Sequence, residues 1–191
     1  MPVLGSRRGK AAPARKRALA PSRAYGLLET GPVLLLTTAH QGVANVMTLS
    51  WHTMLEFEPP VVGCVVSEND FSFAALSRTV ECALNIPTVD IAPQVVGCGN
   101  SSGARVDKFV TFGLTPVPAS LIAPPLIQEC YANLECRVVD TRFKNRYNLF
   151  VLEVLKTWID PACTDPRTLH HRGYGAFMVA GETIKLASRM R

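Results

Sequence analysis

Apolar residues in this chain are grouped into short runs rich in Val, Ile and Leu, a pattern typical of buried β-strands. Four such runs occupy the first half of the chain, at residues 32–39, 43–51, 59–67 and 81–87. The turn signal His40-Gln41-Gly42 separates the first two runs, so we expect them to pair as a hairpin. Two longer strands are predicted at residues 129–143 and 147–160, with a short hairpin connection at residues 144–146.

Three segments have the spacing of short helices instead. Residues 71–79 place apolar side chains at helical intervals, and Asn69 or Asp70 precedes them as an N-cap. Residues 89–97 and 104–113 are predicted as further helical pieces, and the part from Pro161 onward as mostly loop. Many hairpins and few short helices predict a mainly β fold, namely a closed β-barrel with short helices at its rim.

Composition fits a globular chain, with one exception at its start. Of 191 residues, 48% are hydrophobic, and no apolar run approaches the roughly 18–20 residues that span a bilayer. Seven of the 20 Lys and Arg residues lie between Arg7 and Arg23, which leaves 13 basic against 15 acidic residues elsewhere. We therefore predict a basic, disordered tail over residues 1–24 and one folded domain over residues 25–191.

The tail leaves several functions open. Arg7-Arg8 resembles the start of a twin-arginine export signal, but no apolar segment follows it, and an organelle transit peptide is an alternative. Nucleic-acid binding would depend on the tail alone, because the rest of the chain has a net charge of −2. We expect no membrane association and regard nucleic acid as an improbable partner.

The six cysteines do not have the spacing of a metal site or a redox pair. They stand at positions 64, 82, 98, 130, 136 and 163, and none forms a C-x-x-C pair. Most lie within apolar runs, so we expect reduced, mostly buried thiols in a cytoplasmic protein. Metal binding is not predicted.

The run ANVMTLSW, residues 44–51, combines a strand pattern with polar side chains. Thr48 and Ser50 share one face of such a strand, and Asn45 lies on the other. A hydroxyl without a partner in a dry core costs roughly 1–3 kcal/mol, so these groups need acceptors. A ligand could supply them, or the hydroxyls could bond to neighbouring backbone, and both interpretations remain open.

Three further stretches could bind an anion. In SENDFSF, residues 67–73, amides at a helix N-terminus lie near the hydroxyls of Ser67 and Ser72, although an ordinary cap explains the same residues. GCGNSSG, residues 97–103, has the wrong spacing for a dinucleotide fingerprint and is predicted as a flexible loop whose amides and Ser102 could approach a phosphate. Lys108 could complement that phosphate, or face solvent.

The stretch LHHRGYGAF, residues 169–177, contains two of the four histidines. Because His170 and His171 are adjacent, they do not form a metal-binding face; one could serve a pocket as an acid or donor, or both could lie in a surface loop. No Ser-His-Asp arrangement, carboxylate pair or P-loop is present. A cofactor that carries the chemistry itself would fit this pattern.

The order of these stretches resembles the flavin reductase-like, flavoredoxin-type family. The matching pieces are NVMTLSW (45–51), EPPVVGCVVS (58–67), ECALNIP (81–87), SSGARVDKF (101–109), GLT (113–115), APPLIQECYANLECRV (123–138) and HRG (171–173). The likeness covers roughly residues 26–181, in one consistent order. It implies a homodimeric, Greek-key split barrel that binds FMN near the dimer interface and uses NADH or NADPH as cosubstrate.

The resemblance also implies a role for ten residues. The flavin contacts would be Asn45, Met47, Thr48, Ser50 and Trp51. The phosphate and ribityl contacts would be Ser67, Ser72, Ser102 and Lys108. His171 would contact the nicotinamide or second substrate as the catalytic residue. Two departures from the family pattern are Ser72, where Thr is common, and the ending YGAFMVAGE, which follows the family's ending only loosely.

These observations support a first hypothesis of an NAD(P)H-dependent flavin reductase that passes electrons to a monooxygenase or another acceptor. The alternative is a non-catalytic FMN-binding electron carrier that serves a protein partner. A third hypothesis is a nucleic-acid-associated protein that acts through its tail. The choice between NADH and NADPH stays open, because no reader of a 2′-phosphate is identifiable.

Overall fold

A computed structural model describes residues 31–187 of the chain, so the predicted basic tail lies outside the described residues. The strands are β1 (Leu34–His40), β2 (Val43–Leu49), β3 (His52–Phe57), β4 (Pro60–Val65), β5 (Glu81–Ile86), β6 (Pro116–Val117), β7 (Leu126–Ile127), β8 (Ala132–Asp140), β9 (Leu149–Ile159), β10 (Leu169–His171) and β11 (Phe177–Val179). The helices are α1 (Phe71–Thr79), α2 (Ala92–Asn100), α3 (Lys108–Phe112) and α4 (Lys144–Tyr147), with a 3-10 turn at Val89–Ile91.

Seven strands form one antiparallel sheet in the order β2-β1-β5-β8-β9-β4-β3. Strands β2 and β3 follow each other in the chain but lie at opposite ends of this order. Only Ser50 and Trp51 separate them, so the Cα atoms of Leu49 and His52 can be no more than about 11 Å apart. The sheet must therefore curl until its ends meet, which gives the predicted barrel. The backbone N–H of Val65 on β4 donates to the Trp51 carbonyl at 3.0 Å, which continues the β3–β4 pairing up to this connection.

The sheet is buried on both faces along β1 and β2. Leu34 and Leu36 point into the barrel, where the core consists of Leu34, Leu36, Met47, Leu49, Val62, Cys64, Val66, Leu76, Cys82, Leu84, Cys136, Phe150 and Leu152. Val33 and Leu35 point outward into a second core beneath α2 and α3, formed by Val33, Leu35, Val46, Ile91, Val95, Cys98, Phe109, Leu114, Ile127, Cys130 and Leu169. Burial on both faces explains why β1 has an unbroken apolar run.

The structure differs from the predicted elements at several places. β3 was not predicted, because its residues are exposed and half of them are polar. Residues 97–100, predicted as loop, continue helix α2, since Gly97 lets that helix pack against the Phe112 ring: a Cβ at Gly97 would stand 2.7 Å from Phe112 Cδ1. The connection at residues 144–146 is a helical turn that ends at Asn148 with φ 56°. β10 and β11 form a hairpin within the predicted C-terminal loop.

Helix α1 has the predicted bounds, but its cap differs from expectation. Asp70 occupies the N-cap position in extended conformation and forms no side-chain capping hydrogen bond. In α3, by contrast, the Asp107 carboxylate accepts from the backbone N–H groups of Phe109 and Val110, at 3.0 and 3.2 Å. This cap fixes where α3 begins, and therefore where Lys108 lies.

All six cysteines are free, and five are buried, as predicted. Burial raises the pKa of the Cys98 thiol to about 11, so this side chain is a neutral core residue at physiological pH. Three others, Cys64, Cys82 and Cys136, lie inside the barrel. Within residues 31–187 no group of three or more His, Cys, Asp or Glu side chains is arranged to hold a metal ion.

Helices of the described part are short, the longest having nine residues. None of them is long and apolar enough to cross a membrane.

Candidate functional site

Two adjoining cavities lie between strand β2 and helix α2. The smaller one, here called the polar cavity, has a volume of about 110 Å³. Its lining consists of Asn45, Met47, Thr48, Asn69, Asp70, Phe71, Ser72, Cys98, Gly99, Ser101, Ser102 and Lys108. The larger one, here called the wide cavity, has a volume of about 310 Å³. Its lining consists of Val33, Thr48, Ser50, Val95, Val96, Gly99, Asn100, His171, Gly175 and Phe177. Thr48 and Gly99 border both, so the two cavities adjoin at these residues.

Lys108 gives the polar cavity a buried positive charge. Its side chain is only 4% exposed, and Nζ donates a hydrogen bond to the Cys98 carbonyl at 2.7 Å. Within residues 31–187 no carboxylate forms an ion pair with this ammonium group. Burial lowers the pKa of Lys108, which is the expected sign when a charged form loses its hydration. An anion in the cavity would compensate that charge.

Side chains from three separate segments meet around the polar cavity. Asn45 Nδ2 on β2 donates to Ser72 Oγ on α1 at 2.8 Å, and both residues are buried. The loop after α2 brings Ser102 to the same place, where its hydroxyl accepts from the Ala104 N–H at 3.3 Å. Several hydroxyl and amide groups therefore surround Lys108.

Gly103 fixes how closely that loop approaches β2. A Cβ atom at this position would overlap the Asn45 amide and stand 2.8 Å from Phe71 Cδ1. Such contacts require the side chains or the loop to shift, so a glycine is needed here for packing. The loop of residues 101–107 is thus held against Asn45 and Phe71, which closes one side of the polar cavity.

The wide cavity has mixed walls: four lining side chains are apolar and four, those of Thr48, Ser50, Asn100 and His171, are polar. Thr48 Oγ1 donates to the Val95 carbonyl at 2.5 Å and thereby joins β2 to α2 at the boundary between the cavities. His171 lies opposite, with its ring centroid 5.3 Å from that of Phe177. A cavity that combines apolar side chains with a few convergent polar groups is typical of small-molecule sites.

Eight of the ten predicted site residues line these cavities. Those at the polar cavity are Asn45, Met47, Thr48, Ser72, Ser102 and Lys108. Those at the wide cavity are Thr48, Ser50 and His171. Trp51 and Ser67 line neither: the Trp51 side chain is 56% exposed, and the Ser67 hydroxyl accepts from the Asn69 N–H at 3.2 Å.

Several lining residues were not predicted. Gly99 borders both cavities from within α2, and Gly175 and Phe177 close the wide cavity from the β10–β11 hairpin. The glycine-rich stretch 97–103 was a usable signal for Gly99 and Gly103. Gly175 and Phe177 belong to the stretch 169–177, which was interpreted either as part of a pocket or as a surface loop. That they line the same cavity as Thr48 and Ser50 depends on the tertiary fold.

Residues 28–178 match the family described as "Flavin reductase like domain". The chain belongs to this family. An uncharacterized protein of Archaeoglobus fulgidus is 34% identical over 111 residues, which cover 58% of this chain and 63% of that protein. A Pyrococcus abyssi relative is 31% identical over 69% of this chain and 75% of its own length, and Escherichia coli YddH is 29% identical over 83% and 91%, respectively.

Solved structures of this flavin reductase-like fold resemble the chain closely. The FMN-binding domain of a flavin reductases-like enzyme from Shewanella baltica has a TM-score of 0.76 at 26% identity, covering 90% of this chain and 97% of that chain. Desulfovibrio vulgaris flavoredoxin has a TM-score of 0.80 at 20% identity, covering 91% and 97%. Nitrilotriacetate monooxygenase component B from Bacillus cereus has a TM-score of 0.72 at 15% identity, covering 90% and 100%. The predicted split-barrel fold is confirmed.

Proposed function

We propose that the chain binds FMN across both cavities and acts as an NAD(P)H-dependent flavin reductase. The observation that carries this proposal is the buried charge of Lys108, which forms no ion pair with a carboxylate of residues 31–187. It lies in one of two adjoining cavities, and the other has the apolar side chains Val33, Val95, Val96 and Phe177 in its walls. FMN has the matching polarity along its length, because an anionic phosphate, a polyol and a flat ring follow one another.

The polar cavity suits the phosphate. Lys108 would supply the countercharge, and the hydroxyls of Ser72 and Ser102 would donate hydrogen bonds to phosphate oxygens. The buried ammonium has already lost much of its hydration, so pairing it with a phosphate relieves an existing penalty. Asp70 also lines this cavity and would repel the anion, so the fit depends on Lys108 outweighing it.

With the phosphate in the polar cavity, the ribityl chain and the ring would extend toward the wide cavity. Thr48 stands where the two cavities meet, so its side chain would contact the polyol. Ser50 and the apolar residues Val33, Val95 and Phe177 would surround the isoalloxazine. The side chains of Asn45 and Met47 would bound the phosphate end of the ligand, as the family resemblance implies.

Bound FMN would supply the redox chemistry, accepting a hydride from NADH or NADPH and passing electrons to an acceptor. The chain's part would be to orient the ring and exclude water. Among the described residues that line the wide cavity, His171 alone has a titratable side chain. We assign it a contact with the second substrate, as a hydrogen-bond donor.

A homodimer is part of this proposal. β3 ends the sheet, and four of the apolar side chains at and beside it, Trp51, Met54, Leu55 and Phe57, are between 51% and 82% exposed. Contiguous exposed apolar side chains mark interaction surfaces. A second copy of the chain would cover them, next to Ser50 and the wide cavity. The final electron acceptor would be a monooxygenase or another redox protein.

Anaerobic spectroscopy tests the reaction. FMN bound to the purified protein should lose its visible absorbance when NADH or NADPH is added, and the variant His171→Asn should be reduced more slowly. His40→Asn is the matched control, because His40 lies at the end of β1 and lines neither cavity. Bound FMN that neither nucleotide reduces would favour the electron-carrier alternative, and absence of FMN binding would refute both.

A further inference from the structure

The hairpin of β10 and β11 ends in a tight loop at the rim of the wide cavity. This loop, residues 172–176, is here called the lip loop. The Arg172 N–H donates to the Ala176 carbonyl at 2.8 Å, and the Ala176 N–H donates to the Gly173 carbonyl at 3.0 Å. Residues on both sides of the loop tip, His171 and Gly175, line the wide cavity. The lip loop therefore stands at the entrance to the site.

Three consecutive residues of the lip loop have left-handed backbone conformations. The φ angles are 87° at Gly173, 53° at Tyr174 and 75° at Gly175. Glycine adopts such angles at little cost, but a bulky residue such as tyrosine does so rarely. A glycine or asparagine at position 174 would suit this backbone better than tyrosine does.

Tyr174 does not contribute to the core in return. Its side chain is 87% exposed, the most exposed of the large apolar and aromatic side chains between residues 31 and 187. It forms no hydrogen bond, ion pair or ring contact within that range. Folding thus explains neither the strained backbone nor the exposed ring, which are better explained by a ligand that approaches the rim.

The size of the wide cavity indicates which ligand this is. About 310 Å³ is near the lower end of the range for small-molecule sites, roughly 300–1,000 Å³. If the flavin ring occupies this cavity, the bulk of a second substrate must lie outside it, against the rim. The rim offers an aromatic ring at Tyr174 and a cation at Arg172, whose guanidinium pairs with no carboxylate of residues 31–187.

We propose that the lip loop recognises the second substrate, a dinucleotide with planar bases joined by an anionic pyrophosphate. Tyr174 stacks on a planar base of that molecule, and Arg172 pairs with its phosphates. This assignment rests on the proposed function, since it requires FMN in the wide cavity and a nucleotide reductant. It gives the β10–β11 hairpin a role in substrate affinity that is separate from flavin binding.

Stopped-flow reduction of protein-bound FMN tests the assignment, with the concentration of NADH or NADPH varied. Tyr174→Ala should raise the nucleotide concentration for half-maximal reduction rate roughly three- to tenfold, since one stacking interaction is lost. The maximal rate and the Kd for FMN should not change. Tyr174→Phe should behave as the unchanged protein, because stacking does not require the hydroxyl.

Two further variants complete the test. Arg172→Gln should weaken nucleotide binding and reduce its dependence on salt concentration. Tyr147→Ala is the matched control, because Tyr147 is another exposed tyrosine, 54% exposed, at the end of α4 and away from both cavities. This control should leave reduction unchanged.

Each remaining outcome overturns the assignment in a recognisable way. If FMN bound to Tyr174→Ala is reduced with the same dependence on nucleotide concentration as in the unchanged protein, the lip loop does not recognise the nucleotide. The proposed function would still stand. If Tyr174→Ala loses affinity for FMN itself, the loop belongs to the flavin site instead. If neither nucleotide reduces FMN bound to the unchanged protein, the reductase function and the assignment fail together.

Discussion

The buried side chain of Lys108 should make the proposed flavin binding dependent on pH. Burial lowers its pKa, and only the protonated form would attract the phosphate of FMN. The affinity for FMN should therefore fall as the pH rises through the lowered pKa of Lys108, while the phosphate stays dianionic above about pH 7. Fluorescence titration of FMN between pH 7 and 10 measures this. Lys108→Met should bind FMN weakly over this whole pH range, with an affinity that does not change with pH. If the affinity of this variant for FMN also fell as the pH rose, Lys108 would not be the cause of the pH dependence.

Gly103 should be sensitive to the addition of a single methyl group. In Gly103→Ala, the new Cβ would collide with Asn45 and Phe71, so the loop of residues 101–107 would have to move. We expect a loss of about 1–3 kcal/mol in the free energy of unfolding and weaker FMN binding, measured by urea denaturation and fluorescence titration. Gly181→Ala is the control, because no atom lies within 4 Å of a Cβ there. Equal effects of the two substitutions would refute the packing role.

At the scale of elements, Glu135 on β8 holds a loop and a neighbouring strand. Its buried carboxylate accepts from the backbone N–H groups of Ser120 and Leu121, at 3.0 and 2.6 Å, and from Trp158 Nε1 on β9 at 2.8 Å. Burial by itself would raise the pKa of Glu135, but these hydrogen bonds lower it below its ordinary value. The carboxylate therefore stabilises the fold above its unfolded pKa, about 4.3, and this stabilisation is lost as the pH falls through the lowered folded pKa.

Replacing Glu135 with Gln should reveal this contribution. An amide offers a donor where the surroundings already donate, so Glu135→Gln should lower the free energy of unfolding by about 1–3 kcal/mol at neutral pH. The deficit should shrink in acid, when the native carboxyl is also neutral. Urea denaturation at several pH values measures both effects. Glu153→Gln on β9 is the control, since that carboxylate forms no hydrogen bond within residues 31–187.

The sequence predicted helices and strands correctly where the pattern of neighbouring residues and the packing of the folded chain favour the same secondary structure. Helix α1 matches its predicted bounds, because helical spacing and the position of Asp70 point to the same start. Strand β3 was missed because it is stabilised by pairing with β4, while its polar and apolar residues do not alternate with a period of two. Helix α2 continues to Asn100 although residues 97–100 include two glycines, and Gly97 packs against the ring of Phe112, a contact that neighbouring residues do not indicate.

The site was predictable to a similar degree. Motif order led to Lys108, Thr48 and Ser72, and the structure brings them to one pair of cavities. The burial of Lys108 and the position of the lip loop depend on how separate segments pack. They could be recognised only once the barrel and its outer helices were in place.

At the scale of the whole molecule, the exposed apolar side chains of β3 predict self-association. Phe57 is 82% and Leu55 51% exposed on the last strand of the sheet. Sedimentation velocity should give a dimer at micromolar concentration, and the double substitution Leu55→Glu with Phe57→Glu should give a monomer with weaker FMN binding. Val110→Glu, at a residue that is 79% exposed on α3, should remain dimeric. A monomeric unchanged protein would contradict this part of the proposal.

A comparison of FMN with riboflavin shows whether a flavin phosphate lies beside Lys108, as we propose. Riboflavin has the same ring and ribityl chain without the phosphate. The dissociation constants of both ligands should be measured for the unchanged protein and for Lys108→Met. We predict that the substitution raises the Kd for FMN at least tenfold, as expected for a charge-assisted hydrogen bond of about 1.5–3 kcal/mol, and leaves the Kd for riboflavin unchanged. Equal effects on the two ligands, or no effect on FMN, would contradict the account.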